Sequence, residues 1–89
     1  MKKWDVAPKW EFNKIEAAFD ARLRKEGFEI LGIRMFQSKT EWKAERDGVV
    51  VEYAVYKEAR KPELCWKLFM EFYNLEKAYR ELLEAQHES

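Results

Sequence analysis

The chain of 89 residues has little of several residue types on which protein chemistry depends. It contains one cysteine, Cys65, which excludes an internal disulfide framework and fits a reducing compartment. Its one histidine, His87, follows Cys65 by 22 residues on one predicted helix, or about 33 Å, too far for a Cys–His dyad. The only serines are Ser38 and Ser89, so a Ser–His–Asp arrangement has no support, and a Cys/His zinc site lacks ligands.

Long hydrophobic runs and an excess of charge of one sign are also missing. No stretch of about 18 apolar residues occurs, and no apolar signal-peptide core follows Lys2 and Lys3. Basic and acidic residues number 17 each, so no net charge attracts nucleic acid or anionic lipid. From these absences we expect a cytoplasmic protein that is not an enzyme, has no catalytic residue, binds no cofactor or metal and does not enter a membrane.

Hydrophobic residues make up 47% of the chain and aromatic residues 16%, enough for a folded core. The periodicity predicts one α+β domain over residues 1–89, with a three-stranded antiparallel sheet packed on two helices in αβββα order. An arm over 1–11 precedes a helix over 12–27, a three-stranded meander over 28–57 and a long helix over 62–87.

Local signals define the first helix. Asn13 followed by Glu16 predicts a capping box at its start. Gly27 predicts its end in the left-handed conformation, with Phe28 packing on Leu23 as in a Schellman motif.

The meander contains one clear hairpin and one less regular strand. Asp47 and Gly48 are typical of a two-residue turn. The register that this turn implies places three pairs opposite one another: Trp42 and Tyr53, Ala44 and Val51, and Lys43 and Glu52. The first strand, at 28–37, has apolar residues on both faces, which predicts a central strand or one partly covered on its second side. Gly32 interrupts its alternation and predicts a bulge or a close backbone approach.

The long helix has two apolar faces. One stripe is predicted to be its core face: Leu64, Cys65, Leu68, Phe72, Leu75, Tyr79, Leu82 and Leu83. A second face, predicted to bind a partner, comprises Trp66, Phe69, Met70 and Tyr73. Two accounts of this second face remain open: it binds a second copy or another protein, or Trp4 and Trp10 of the arm fold over it.

Nucleic acid is the alternative partner. Helix, three strands, helix is also the element order of the double-stranded-RNA-binding domain and of small toxin ribonucleases, which the chain resembles in this order alone. The RNA-binding family has a lysine-rich start to its second helix, where this chain has Glu63, Leu64, Cys65 and Trp66. The ribonucleases use a histidine in the sheet, and none occurs here between Met1 and Gln86. The remaining candidates for phosphate binding are Lys57, Arg60 and Lys61.

The sequence therefore favours a non-enzymatic protein-binding module that forms a homodimer. Small chains of this composition are common among phage and mobile-element inhibitors of host proteins, and we expect such a role here.

Overall fold

The computed structural model describes residues 11–88, and the side chains of residues 11–86. Five elements follow one another: α1 Lys14–Lys25, β1 Glu29–Met35, β2 Lys39–Arg46, β3 Val49–Tyr56 and α2 Pro62–Glu88. The strands form one antiparallel sheet in the order β1-β2-β3, and both helices pack on one face of it. The predicted α+β fold in αβββα order is confirmed. The arm, with Trp4 and Trp10, lies outside the described residues apart from Glu11.

Both predicted ends of α1 are confirmed. The Asn13 side chain accepts a hydrogen bond from the backbone N–H of Glu16 at 2.8 Å, and the Glu16 carboxylate accepts one from the backbone N–H of Asn13 at 3.0 Å. At the other end Gly27 has a φ of +88°, and the N–H of Phe28 donates to the carbonyl of Leu23 at 3.0 Å. This hydrogen bond is typical of a Schellman motif. The motif requires a residue with positive φ, which glycine adopts because it has no Cβ to clash with the backbone.

The hairpin between β2 and β3 also forms as predicted. Asp47 and Gly48 have φ values of +54° and +78°, so both central residues are left-handed, as a type I′ turn requires. The three predicted pairs are opposite one another: Trp42 and Tyr53, Ala44 and Val51, and Lys43 and Glu52. The inward members of these pairs bring β2 and β3 against the helices.

The strand β1 is not the central strand that its apolar residues suggested, because it lies at the edge of the sheet and β2 is central. The predicted bulge accounts for the difference. Ile30 pairs with Ala44 but Gly32 pairs with Lys43, so Leu31 is an extra residue and the alternation of faces shifts there. Ile30 and Ile33 therefore both contribute to the core, while Leu31 is exposed. The apolar residues on apparently opposite faces of β1 are the result of this shift.

Aromatic rings fill the space between the sheet and the helices. The ring of Phe19 from α1 lies 5.0 Å from that of Trp42 and 5.5 Å from that of Phe69. The ring of Phe28 lies 5.0 Å from that of Phe69 and 5.2 Å from that of Tyr73. All four contacts are edge-to-face, which aromatic pairs prefer. Phe69 and Tyr73 thereby fix the rotation of α2 about its own axis.

Candidate interaction surface on the second helix

The four residues predicted to bind a partner, Trp66, Phe69, Met70 and Tyr73, are on the core side of α2. Phe69 is 0% exposed and Tyr73 2% exposed, while Trp66 and Met70 are partly buried against the same core. The prediction that these residues lie away from the core is therefore wrong. Their burial by α1 and the sheet of the same chain removes the basis on which they were assigned to a partner.

The reason is the difference in length between α2 and the rest of the domain. A strand of eight residues spans about 26 Å, whereas the 27 residues of α2 span about 40 Å. The sheet and α1 can therefore cover only part of α2. The face that carries Trp66, Phe69, Met70 and Tyr73 ends at Tyr73, where the sheet and α1 stop covering the helix. The leucine-rich stripe on the other face continues beyond Tyr73.

That longer stripe is exposed. We call it the exposed stripe and define it by six residues: Leu64, Leu68, Phe72, Leu75, Tyr79 and Leu82. Their exposed fractions lie between 39% and 68%, with the highest at Leu75. Their helical spacing predicts that these side chains lie in the core, and the structure corrects that prediction as well. Leu83, also predicted to be in the core, borders the stripe and is 38% exposed.

The second half of α2 is not buried by the rest of the domain. Every side chain from Asn74 to Gln86 is exposed. A polar contact links this half to the hairpin, because the Arg80 guanidinium donates to the carbonyl oxygen of Gly48. The exposed stripe therefore lies on a helix whose Phe69 and Tyr73 pack in the core and whose Arg80 is hydrogen-bonded to the hairpin turn.

At the other end, the exposed stripe borders an apolar groove. Tyr53, Val55 and Tyr56 of the edge strand β3 line one side, and Leu64 and Leu68 of α2 line the other. The ring of Tyr53 lies 5.7 Å from that of Phe72 on the exposed stripe. The apolar surface is thus continuous from β3 to the end of the stripe.

The residues predicted to bind phosphate are not equivalent. The Lys57 ammonium lies 2.7 Å from Oε2 and 2.9 Å from Oε1 of Glu16, and 3.2 Å from the hydroxyl of Thr40. Glu16 and Thr40 are both fully buried. Arg60 and Lys61 are exposed beside the start of α2. Lys57 is therefore engaged inside the fold as the counter-ion of a buried carboxylate, which leaves two of the three predicted cations at the surface.

Sequence reasoning missed this buried polar network, and it also missed a second buried carboxylate on the same helix. Asp20, one turn after Glu16, accepts a hydrogen bond from the indole N–H of Trp42 at 3.1 Å and pairs with Arg24 at 3.0 Å. Thr40 donates to Glu16 at 2.8 Å. Glu16 and Asp20 together attach α1 to the central strand β2 by directional bonds, in addition to the aromatic packing.

The network predicts a loss of stability in acid. Burial alone raises the pKa of Glu16, but hydrogen bonds from Lys57, the Asn13 backbone and Thr40, with the charge of Lys57, outweigh it and hold this pKa below its usual 4.5. The folded state therefore favours the ionised form. The ionised Glu16 contributes fully to the free energy of unfolding above about pH 4.5, and this contribution is lost as the pH falls through the lowered pKa of Glu16.

We expect the free energy of unfolding of the wild-type protein to fall as the pH is lowered from about 5 to 3, and that of Glu16→Gln to fall less steeply. Urea denaturation at each pH measures both slopes. Glu71→Gln on the exposed part of α2 serves as the control and should keep the wild-type slope. Equal slopes for Glu16→Gln and wild type would contradict this assignment.

Cys65 is placed as a packing residue. It lies partly buried against the core, and burial raises the pKa of its thiol, so less thiolate forms at neutral pH. The helix is unbroken from Pro62 to Glu88, which keeps the backbone at His87 about 33 Å from that at Cys65. Among the side chains that the structure describes, no group of three or more His, Cys, Asp or Glu could hold a metal ion.

Comparison with models of protein families, with curated proteins and with solved structures finds no match to this chain. Within residues 11–88, no helix is both long and apolar enough to cross a membrane. A function must therefore be inferred from the residues themselves. The exposed stripe is the row of large apolar side chains that no element of the described fold covers.

Proposed function

We propose that this protein is a non-enzymatic protein-binding module and that the exposed stripe of α2 is its binding surface. The observation that carries the proposal is a row of six large apolar side chains, each 39% exposed or more, on a helix whose opposite side is packed against its own core. Monomeric proteins rarely leave contiguous apolar patches of this kind in water. The cytoplasmic location expected from the sequence is part of the proposal.

The size and composition of the surface support protein binding. A fully exposed aromatic side chain offers about 150–250 Å², so six half-exposed large side chains present roughly 600 Å² on one copy. A standard interface buries about 800 Å² per partner, which the stripe and the groove beside β3 together approach. Phe72 and Tyr79 provide the aromatic anchors that binding surfaces favour. Inhibition of a host protein by a phage or mobile-element product is one role that such a module serves.

A pair of neighbouring substitutions tests the proposal. Leu75→Glu puts a charge in the middle of the exposed stripe, whereas Asn74→Glu puts the same charge on an exposed position next to it, off the stripe. We expect both variants to fold, and only Leu75→Glu to lose partner proteins captured by the wild type from a host lysate, by at least about tenfold. Equal capture by both variants would rule out the stripe as the surface that binds a host protein.

Nucleic-acid binding has less support than protein binding. Lys57 is bound to Glu16, and Arg60 and Lys61 lie beside the acidic Glu58 and Glu63 in the sequence. Two exposed cations among carboxylates provide a weak electrostatic attraction for phosphate.

A further inference from the structure

We infer that the partner of the exposed stripe is a second copy of this chain, bound with its α2 helix antiparallel. The inference rests on the proposed function and names the occupant of that surface. Leu68, Leu75 and Leu82 are seven residues apart, as are Phe72 and Tyr79, so the stripe from Leu68 to Leu82 has the alternating spacing of four and three found in coiled coils. A seam with this repeat fits another helix with the same repeat.

The distribution of side-chain size favours the antiparallel arrangement. One position of the repeat carries leucine and the other carries an aromatic residue. Parallel helices would place Phe72 on Phe72 and Tyr79 on Tyr79, whereas antiparallel helices place each aromatic ring against a leucine. A two-fold axis between residues 73 and 74 sets Phe72 against Leu75 of the second copy, and Leu68 against Tyr79. Large and smaller side chains then alternate over the central part of the seam, from Leu68 to Tyr79 of each copy, which is how close packing is achieved.

Charge favours the same arrangement. Lys57 is paired with Glu16, and the following residues 58–67 carry three basic and two acidic side chains, whereas residues 74–88 carry two basic and four acidic ones. Antiparallel pairing brings the basic end of each copy towards the acidic end of the other. Beside the seam, parallel helices would set Glu71 next to Glu76 of the second copy, whereas the proposed axis sets Glu71 next to Ala78.

The core of each domain packs against another face of α2. Trp66, Phe69, Met70 and Tyr73 direct the sheet and α1 to the side of α2 opposite the exposed stripe. In the pair, the two helices lie in the middle and the two sheets lie outside. Two copies of roughly 600 Å² give about 1,200 Å² of buried area, the lower limit for a specific stable interface. The closed two-fold symmetry is also the commonest one for soluble oligomers.

Light scattering after size-exclusion chromatography tests the association. At about 100 μM we expect a mass near twice the 10.8 kDa of one chain for the wild type and for Asn74→Glu. Leu75→Glu should remain a folded monomer, with a dissociation constant raised by at least about 100-fold. A wild-type monomer at this concentration would overturn the inference.

Cysteine pairing tests the direction of the helices. Two chains are prepared in the Cys65→Ser background, one with Leu68→Cys and one with Tyr79→Cys. In the proposed pair, identical positions lie about 16 Å apart along the axis, beyond the reach of a disulfide, whereas residue 68 of one copy faces residue 79 of the other. Under mild oxidation we expect the mixture to form a covalent heterodimer and neither chain to form a homodimer efficiently. Homodimers of each chain alone would indicate parallel helices and overturn the arrangement.

The outcomes also separate this inference from the proposed function. If the wild type is a monomer but Leu75→Glu still loses a captured protein, the stripe binds another protein and only the second copy is ruled out. If the wild type is a monomer and Leu75→Glu captures as much as the wild type, both proposals fail. Cover by the arm of the same chain would give this last result.

Discussion

Replacing Phe69 by alanine should destabilise the domain by about 3–5 kcal/mol, whereas replacing Phe72 by alanine should cost only about 1 kcal/mol. The chemical change is identical, and the two residues are three positions apart on α2. Phe69 is 0% exposed and its ring contacts those of Phe19 and Phe28, so its removal leaves a cavity in the core. Phe72 is 50% exposed and its ring contact is with Tyr53.

Urea denaturation followed by tryptophan fluorescence measures both free energies of unfolding. A protein concentration of about 1 μM keeps association through the exposed stripe from adding to the stability of the wild type. A larger loss for Phe72→Ala than for Phe69→Ala would mean that α2 is rotated to the orientation expected from the sequence. The experiment therefore tests both the packing of α2 on the core and the rotation of α2 about its axis.

The sequence predicted the elements well because their signals are local. The capping box at Asn13, the left-handed Gly27 and the Asp47–Gly48 turn each depend on a few neighbouring residues. The rotation of α2 is different, because it depends on which apolar face the rest of the domain covers. Both faces are apolar between Leu64 and Tyr73.

A signal for the correct rotation is nevertheless present in the sequence. The core face should lose its apolar character where the sheet stops covering the helix. The face with Phe69 and Tyr73 does so, since it continues with Lys77 and Arg80. The exposed stripe stays apolar as far as Leu82, about 2.5 turns past Tyr73, the last buried residue of α2. Length, rather than regularity, separates the core face from the exposed stripe.

The buried carboxylates were missed for a related reason. Phe12, Glu16, Phe19 and Leu23 follow one another at spacings of four, three and four, which puts Glu16 on the apolar side of α1. Its part in the capping box offered a sufficient explanation for a glutamate there. Its partners Thr40 and Lys57 are 24 and 41 residues away, and only the folded chain brings them together.

The second large effect is expected from Lys57→Met, which keeps most of the apolar stem and removes the charge. At pH 7 we expect a loss of about 2–3 kcal/mol, because the Glu16 carboxylate is left buried without its counter-ion. This figure lies towards the lower end for buried ion pairs, since the Lys57 side chain is 31% exposed and water reaches its ammonium. Arg60→Met, an exposed change of similar size, should cost no more than about 0.5 kcal/mol.

The dependence on pH distinguishes loss of a counter-ion from loss of packing. Without Lys57, burial of Glu16 is no longer balanced by that charge, so the pKa of Glu16 in the folded variant rises above that in the wild type. Protonation then relieves the cost, and the difference in stability between the wild type and Lys57→Met should shrink as the pH falls from 7 to 4.

At pH 7, adding Glu16→Gln to Lys57→Met should recover part of the loss, because a neutral amide needs no counter-ion. A difference that stays constant with pH, with no recovery in the double variant, would show that Lys57 contributes by packing alone. It would also return Lys57 to the set of cations available for phosphate.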